Sequence, residues 1–142
     1  DGAGKMSKSE NQMATLYLAD EDEVIRKKVM KAKTDAGPTE PNTPMPDYIQ
    51  NIFLLMKLVS EESTIQKFTD DYNGAVIRYG DMKKALAEDM VKFIAPIRQK
   101  AVDIRANESY LKKVIDEGAE RARASAQQTI QEVRRLVGLN YL

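Results

Sequence analysis

Apolar side chains recur every three or four positions over most of the chain beyond residue 47, and this spacing restricts the fold more than any other feature. The longest stripe consists of Met82, Leu86, Met90, Phe93, Ile94, Ile97, Ala101 and Ile104. Such spacing places the side chains on one face of an α helix. Because helices bury their apolar faces against one another, the sequence predicts an all-α fold, a helical bundle.

Two helices are predicted in the first half of the chain. The first runs from about residue 21 to residue 33, and Asp20 and Glu23 have the spacing of a capping box at its start. The second covers residues 48–59. Residues 37–46 between them contain four prolines, a density that no helix tolerates. We interpret this segment as an ordered crossing loop, with a flexible linker as the alternative.

Polar caps and breakers predict the next two helices. Ser60 or Ser63 caps a helix that ends in a left-handed turn at Asn73-Gly74. Asp81 caps the long helix that carries the main apolar stripe. Pro96 lies inside that stripe, and because the stripe keeps its phase beyond it, we expect a kink rather than an end.

The chain ends with further helical sequence. Asn107 is the predicted cap, Gly118 breaks or weakens the helix, and Gly138 is the predicted C-cap. Near the start of the chain, residues 14–18 form a short apolar run that we interpret as a strand or an extended linker.

The composition excludes several kinds of site. The 142 residues include no cysteine and no histidine, so disulfides, thiolate sites and histidine general bases are ruled out. The carboxylates lack the spacing of a calcium loop, and we predict no metal site. No apolar run approaches the ~20 residues that span a bilayer, so we expect no membrane partner.

Residues 5–9 read Lys-Met-Ser-Lys-Ser and form a segment that we call the KMSKS loop. Two lysines three positions apart can both reach one polyphosphate, and the serine hydroxyls add donors. Gly2 and Gly4 precede the loop and allow the backbone conformations that other residues avoid. The segment is typical of a phosphate clamp, and a solvated basic tail is the alternative.

Nearly the whole chain resembles the bacterial tryptophanyl-tRNA synthetases, which are class I aminoacyl-tRNA synthetases. The KMSKS loop is shared by many class I enzymes, whereas the later segments are typical of the tryptophan family. The matching segments are Lys5–Glu10, Glu23–Ala32, Arg78–Glu88, Phe93–Arg98 and Glu117–Arg123. The alternatives are a relative of the tyrosyl-tRNA synthetases and a helical interaction module without an enzymatic parent.

The resemblance implies an ATP-dependent ligase that activates L-tryptophan and charges tRNA(Trp) in the cytoplasm, as a homodimer. It implies Lys5 and Lys8 as catalytic residues and Lys5, Met6, Ser7, Lys8 and Ser9 as the ATP-binding loop. Mg²⁺ is expected with the nucleotide, held mainly by phosphates. The family's histidine-containing ATP element has no counterpart here, so we expect a C-terminal portion that is inactive alone.

The resemblance also implies three parts. Residues 1–35 are the end of the nucleotide-binding catalytic domain, with the KMSKS loop and the helix after it. Residues 36–47 are a proline-rich connector, and residues 48–142 are a helical anticodon-binding domain. The predicted fold is therefore a helical bundle preceded by a short end of the catalytic fold.

Basic residues in the second half of the chain are candidates for binding tRNA. Residues 78–142 carry 13 basic and 9 acidic side chains, although the whole chain is neutral. Ordinary surface scatter and contact with RNA both account for this excess. The candidates are Arg78, Lys83, Lys84, Arg105, Lys112, Lys113, Arg121 and Arg123.

The first predicted helix holds the densest basic cluster of the chain. Its members are Arg26, Lys27, Lys28, Lys31 and Lys33. The cluster fits attraction of the tRNA backbone, and it equally fits solvated cations that complement the helix dipole.

Overall fold

The structure is a computed structural model that describes Ser7 and residues 11–139. Within these residues it contains helices and no strand, which confirms the predicted all-α class. After a 3-10 turn at Gln12–Ala14 come α1 (Asp22–Met30), α2 (Asp47–Val59), α3 (Glu62–Asn73), α4 (Tyr79–Ala106) and α5 (Glu108–Leu136). The alternative of a strand at residues 14–18 is therefore wrong. None of the described helices is both long and apolar enough to cross a membrane.

The chain divides into two compact units, Asp1–Gln99 and Lys100–Leu142, and the boundary falls within α4. The three-part division at residues 35 and 47 concerns the whole protein's domains and stays a prediction.

The first unit is built around one hydrophobic core to which α1, α2, α3 and α4 all contribute. Ile25 of α1, Ile49 and Met56 of α2 and Met82 of α4 are completely buried. Burying a side chain of this size stabilises the fold by roughly 1.5–3 kcal/mol before entropic costs. Core packing, rather than helix propensity, therefore holds these four helices in place.

The buried face of α4 is shorter than the apolar stripe predicts. Met82, Leu86, Met90 and Ile94 are buried as expected, but beyond Ile94 no residue of α4 is buried. The stripe as a single core face is therefore wrong for Ile97, Ala101 and Ile104, and also for Phe93, which is 49% exposed. An apolar period indicates which face of a helix can be buried, but not how far the partner helices extend along it.

Three of the predicted N-caps are wrong. Glu21 occupies the N-cap position of α1 and Glu61 that of α3, and neither side chain makes a capping hydrogen bond. Asp81 lies inside the first turn of α4, where its amide donates to the Arg78 carbonyl at 3.0 Å. The carboxylate of Asp20, the expected cap of α1, is engaged with Lys28 instead.

Gly74 is the C-cap of α3, as the sequence predicts, but the left-handed conformation falls one residue later. Gly74 has φ −82°, and the left-handed residue is Ala75, with φ +54°. The amide of Val76 then donates to the Asp71 carbonyl at 2.9 Å, as in a Schellman turn.

The helix of the second unit begins and ends where the sequence predicts. The Asn107 side chain accepts from the Tyr110 amide at 3.0 Å, and Gly138 is left-handed with φ +73°. Gly118 does not interrupt α5. No residue of α5 is buried, however, so the expectation that its apolar stripe joins a bundle core is wrong.

Candidate functional site

The structure describes one residue of the KMSKS loop, Ser7. Its backbone carbonyl accepts a hydrogen bond from the Thr15 hydroxyl at 3.0 Å. Lys5, Met6, Lys8 and Ser9, the other predicted catalytic and ATP-binding residues, lie outside the described residues. The site is therefore built from Ser7 and from the segment that follows the loop.

Thr15 links this segment to α1. Its side chain holds Ser7, and its own carbonyl accepts from the Lys28 ammonium group at 2.8 Å. Thr15 is buried, with 7% of its surface exposed. Because the two bonds use the hydroxyl and the carbonyl of one residue, a single threonine connects the centre of the loop to the helix.

The Lys28 side chain is enclosed by three groups. Its ammonium donates to the Asp20 carboxylate at 2.6 Å and to the Thr15 carbonyl, and it lies 4.6 Å from the centre of the Tyr17 ring. The Tyr17 amide donates to the same Asp20 oxygen at 2.9 Å. A buried ammonium needs such partners, since an unpaired charge away from water is costly.

This enclosure corrects the interpretation of the basic cluster on α1. Lys28 is 9% exposed, so it is neither a solvated cation nor a surface that attracts an RNA backbone. Arg26 is also engaged, because its guanidinium donates to both carboxylate oxygens of Glu88 at 2.7 and 3.1 Å and to Glu23 at 2.7 Å. Hydrogen bonding to Arg26 lowers the pKa of Glu88.

α4 holds the start of α1 at a second point. Arg98 donates to the Asp20 carbonyl and, at 2.5 Å, to the Asp22 carboxylate. The hydrogen bond with Asp22 raises the pKa of Arg98, so the guanidinium stays charged. Asp20 is thus held through its carbonyl by Arg98 and through its carboxylate by Lys28.

The tRNA candidates of the first unit have different environments. Arg78 and Lys84 are exposed, whereas Lys83 is half-buried and donates to the Ala32 carbonyl at 3.1 Å and the Thr34 hydroxyl at 3.3 Å. Lys83 therefore ties α4 to the segment that leaves α1.

The candidates of the second unit are all exposed. They are Arg105, Lys112, Lys113, Arg121 and Arg123. Lys113 lies 3.9 Å from the Glu117 carboxylate. Lys112 and Arg123 are eleven residues apart on α5, which returns them to the same face of a helix with about 3.6 residues per turn.

A carboxylate with tyrosine partners stabilises the segment after α1. Asp35 accepts from the Gly37 amide and the Tyr48 hydroxyl, both at 2.8 Å. Desolvation acts to raise the pKa of Asp35, but these hydrogen bonds outweigh it and lower the pKa. Burial and the neighbouring Asp35 raise the pKa of Tyr79, so that hydroxyl stays protonated.

Sequence reasoning missed Thr15, Asp20, Lys28 and Arg98 as parts of one arrangement. Lys28 and Arg98 lie in segments that carry the family resemblance, but nothing in their spacing distinguishes them from surface cations. Within the described residues, no group of three or more acidic side chains could hold a metal ion.

Comparison with known proteins gives a consistent family assignment. Residues 1–95 match the family described as "tRNA synthetases class I (W and Y)". The chain is 50% identical over 138 residues to the tryptophan–tRNA ligase of Porphyromonas gingivalis, covering 97% of this chain and 42% of that protein. It is 33% identical over 139 residues to tryptophan–tRNA ligase 1 of Streptomyces coelicolor, covering 96% and 40%.

A solved structure supports the same assignment. The tryptophanyl-tRNA synthetase of Campylobacter jejuni, determined with ADP and tryptophan, superposes with a TM-score of 0.72 at 28% identity. The match covers 94% of this chain and 41% of that protein. The chain thus spans about two fifths of the length of these relatives. An unrelated helical interaction module is excluded, and the chain belongs to the class I tRNA synthetases of the tryptophan and tyrosine group.

Proposed function

We propose that this chain is a portion of a tryptophan–tRNA ligase, which activates L-tryptophan with ATP and transfers it to tRNA(Trp). The observation that carries this proposal is the 50% identity to the Porphyromonas gingivalis tryptophan–tRNA ligase over 97% of this chain. The chain supplies the KMSKS loop and the helix that anchors it (residues 1–35), the connector (36–47) and a helical domain for the anticodon (48–142).

In the activation step, the tryptophan carboxylate attacks the α-phosphate of ATP and pyrophosphate leaves. Negative charge builds on the leaving group, and Lys5 and Lys8 are the groups that stabilise it. Ser7 and Ser9 donate hydroxyl hydrogen bonds to phosphate oxygens, and Met6 lies near the adenine. Mg²⁺ accompanies the nucleotide and is held mainly by phosphates and waters rather than by residues of this chain.

The second partner is tRNA(Trp). Unstacked anticodon bases are recognised by stacking and by contacts to their edges, while arginine and lysine bind phosphates. The exposed candidates are Arg78, Lys84, Arg105, Lys112, Lys113, Arg121 and Arg123. The whole ligase acts in the cytoplasm as a homodimer.

The KMSKS loop is tested by replacing Lys8 in the whole ligase. Lys8→Ala should lower the maximal rate of tryptophan-dependent pyrophosphate exchange by about a hundredfold, because it removes one donor to developing charge. Tryptophan affinity should change little. Lys57→Ala, at an exposed lysine of α2, is the matched control and should behave like the wild type.

Two results would contradict the proposal in different ways. Exchange that depends on tyrosine rather than tryptophan would favour the other activity of this family. Tryptophan-dependent exchange with an unchanged maximal rate in Lys8→Ala would leave the ligase activity intact and refute the clamp.

A further inference from the structure

A buried cation on α1 and the centre of the KMSKS loop are joined by two consecutive hydrogen bonds. We propose that Lys28, with Asp20 and Thr15, is a positioning group that holds the KMSKS loop in place for the activation step. This inference rests on the proposed function for the identity of the step, and on the described contacts for the anchoring itself.

The partners of Lys28 point to this role. All three lie within residues 15–20, the segment that connects the KMSKS loop to α1. A buried ion pair contributes little net stability compared with apolar side chains of similar volume. What the ammonium contributes instead is geometry, because it fixes the Thr15 carbonyl and the Asp20 carboxylate relative to one another.

The restraint passes from Thr15 to the loop. Lys28 fixes the Thr15 carbonyl at 2.8 Å, and the hydroxyl of the same residue donates to the Ser7 carbonyl at 3.0 Å. Thr15 is buried and β-branched, so its side chain has few rotamers to adopt. Ser7 is the central residue of the KMSKS loop, and a restraint on its carbonyl is a restraint on the loop.

The expected consequence is kinetic. A misplacement of about 1 Å in a group that acts in the transition state can lower a rate by about a hundredfold. Lys28 lies outside the phosphate-binding residues and acts through Thr15, so its loss should lower the maximal rate of activation more than it weakens tryptophan binding.

Thr15→Val in the whole ligase is the sharpest test. It replaces the hydroxyl with a methyl group and removes the bond to Ser7 while keeping the branched shape. Maximal pyrophosphate exchange should fall about tenfold with little change in the KM for tryptophan. Lys28→Met removes the ammonium and should have the same kind of effect, whereas Lys27→Met, at the adjacent exposed lysine, should have none.

A double variant and amide hydrogen exchange complete the test. In the double variant Thr15→Val/Lys28→Met, the fold decrease in maximal pyrophosphate exchange should be smaller than the product of the two single decreases. Both substitutions break the same connection between Lys28 and the KMSKS loop. Without substrates, both single variants should speed hydrogen exchange at residues 5–9, and Lys27→Met should not.

The outcomes separate the two proposals. If the wild-type ligase shows no tryptophan-dependent pyrophosphate exchange, the proposed function is overturned. Amide hydrogen exchange at residues 5–9 still tests whether Lys28 and Thr15 anchor the loop. The positioning role is overturned if Thr15→Val keeps the wild-type rate of pyrophosphate exchange and the wild-type protection of residues 5–9 from amide hydrogen exchange. The Thr15→Val variant is sufficient to test the positioning role even if Lys28→Met fails to fold.

Discussion

Ala75 adopts a backbone conformation that its side chain disfavours. It has φ +54° at the end of α3, while the preceding Gly74 has an ordinary φ of −82°. The left-handed region brings the Cβ close to the following carbonyl oxygen, which glycine avoids. The turn is nevertheless retained, because Val76 and Ala75 donate to the Asp71 and Tyr72 carbonyls.

Ala75→Gly should therefore stabilise the protein by about 0.5–1 kcal/mol, since relief of the left-handed strain exceeds the entropic cost of glycine. Ala101→Gly, the same chemical change at an exposed position inside α4, should destabilise it by about 1 kcal/mol. Urea unfolding of both variants measures the effects. A loss of stability in Ala75→Gly would contradict the strain argument.

Asp35 should make the stability depend on pH in the acid range. Its folded-state pKa is lowered from the ordinary value of 3.8. Its contribution is therefore fully present above that value and is lost as the pH falls through the folded pKa. Asp35→Asn should lower the urea midpoint at about pH 6 and flatten its decline toward about pH 3. A variant with the wild-type acid profile would refute this.

At the scale of elements, α1 is attached to α4 by two guanidinium groups of different exposure. The Arg98 side chain is 18% exposed and donates to both Asp20 and Asp22. The Arg26 side chain is 33% exposed, and its partner Glu88 is 54% exposed. Exposed ion pairs are screened by salt and contribute little, so the Arg98 contacts should matter more.

Arg98→Lys should lower the melting temperature more than Arg26→Lys does. One ammonium group does not reproduce a guanidinium that spans a carbonyl and a carboxylate. Added salt should reduce the fall in melting temperature caused by Arg26→Lys, because salt screens the exposed pair. It should leave most of the fall caused by Arg98→Lys. Equal losses for the two variants, with equal salt dependence, would show that the exposure difference has no consequence.

At the scale of the whole molecule, the two units differ in how many apolar side chains of their helices are buried. Among the residues that the structure describes, sixteen apolar side chains of the first unit are buried, while α5 of the second unit buries none. Among the tRNA candidates, Lys83 of the first unit is committed to the Ala32 carbonyl and the Thr34 hydroxyl. Arg78 and Lys84 of the first unit and the candidates of α5 are exposed.

We expect binding of a tRNA(Trp) anticodon stem-loop to the whole ligase to depend on the exposed cations of α5. Lys112→Ala and Arg123→Ala, on one face of that helix, should each weaken binding and reduce the salt slope by about 1. Lys83→Met should instead lower stability, since it removes hydrogen bonds to the segment after α1. Anisotropy over a salt series measures the affinity of the α5 variants for the stem-loop, with a scrambled anticodon loop as control. Equal affinity for both loops would remove the claim of anticodon readout.

The all-α class, the approximate positions of the helices and the family could all be predicted from the amino-acid sequence. Local features depend on residues only a few positions apart, and they can therefore be predicted from the sequence. Examples are the apolar period, the Asn107 cap and the turn at Gly138. The KMSKS loop and the later matching segments were sufficient to indicate the synthetase family.

The roles of the charged residues depend on tertiary packing and could not be predicted from the sequence. Lys28 has the sequence context of a surface cation, and Arg98 finds Asp22 across 76 positions. Whether a lysine is solvated or buried depends on which elements pack around it, and an ion pair between distant positions leaves no periodic signal. For the same reason the sequence did not show that the core ends at Ile94 along α4, or that a threonine joins the KMSKS loop to α1.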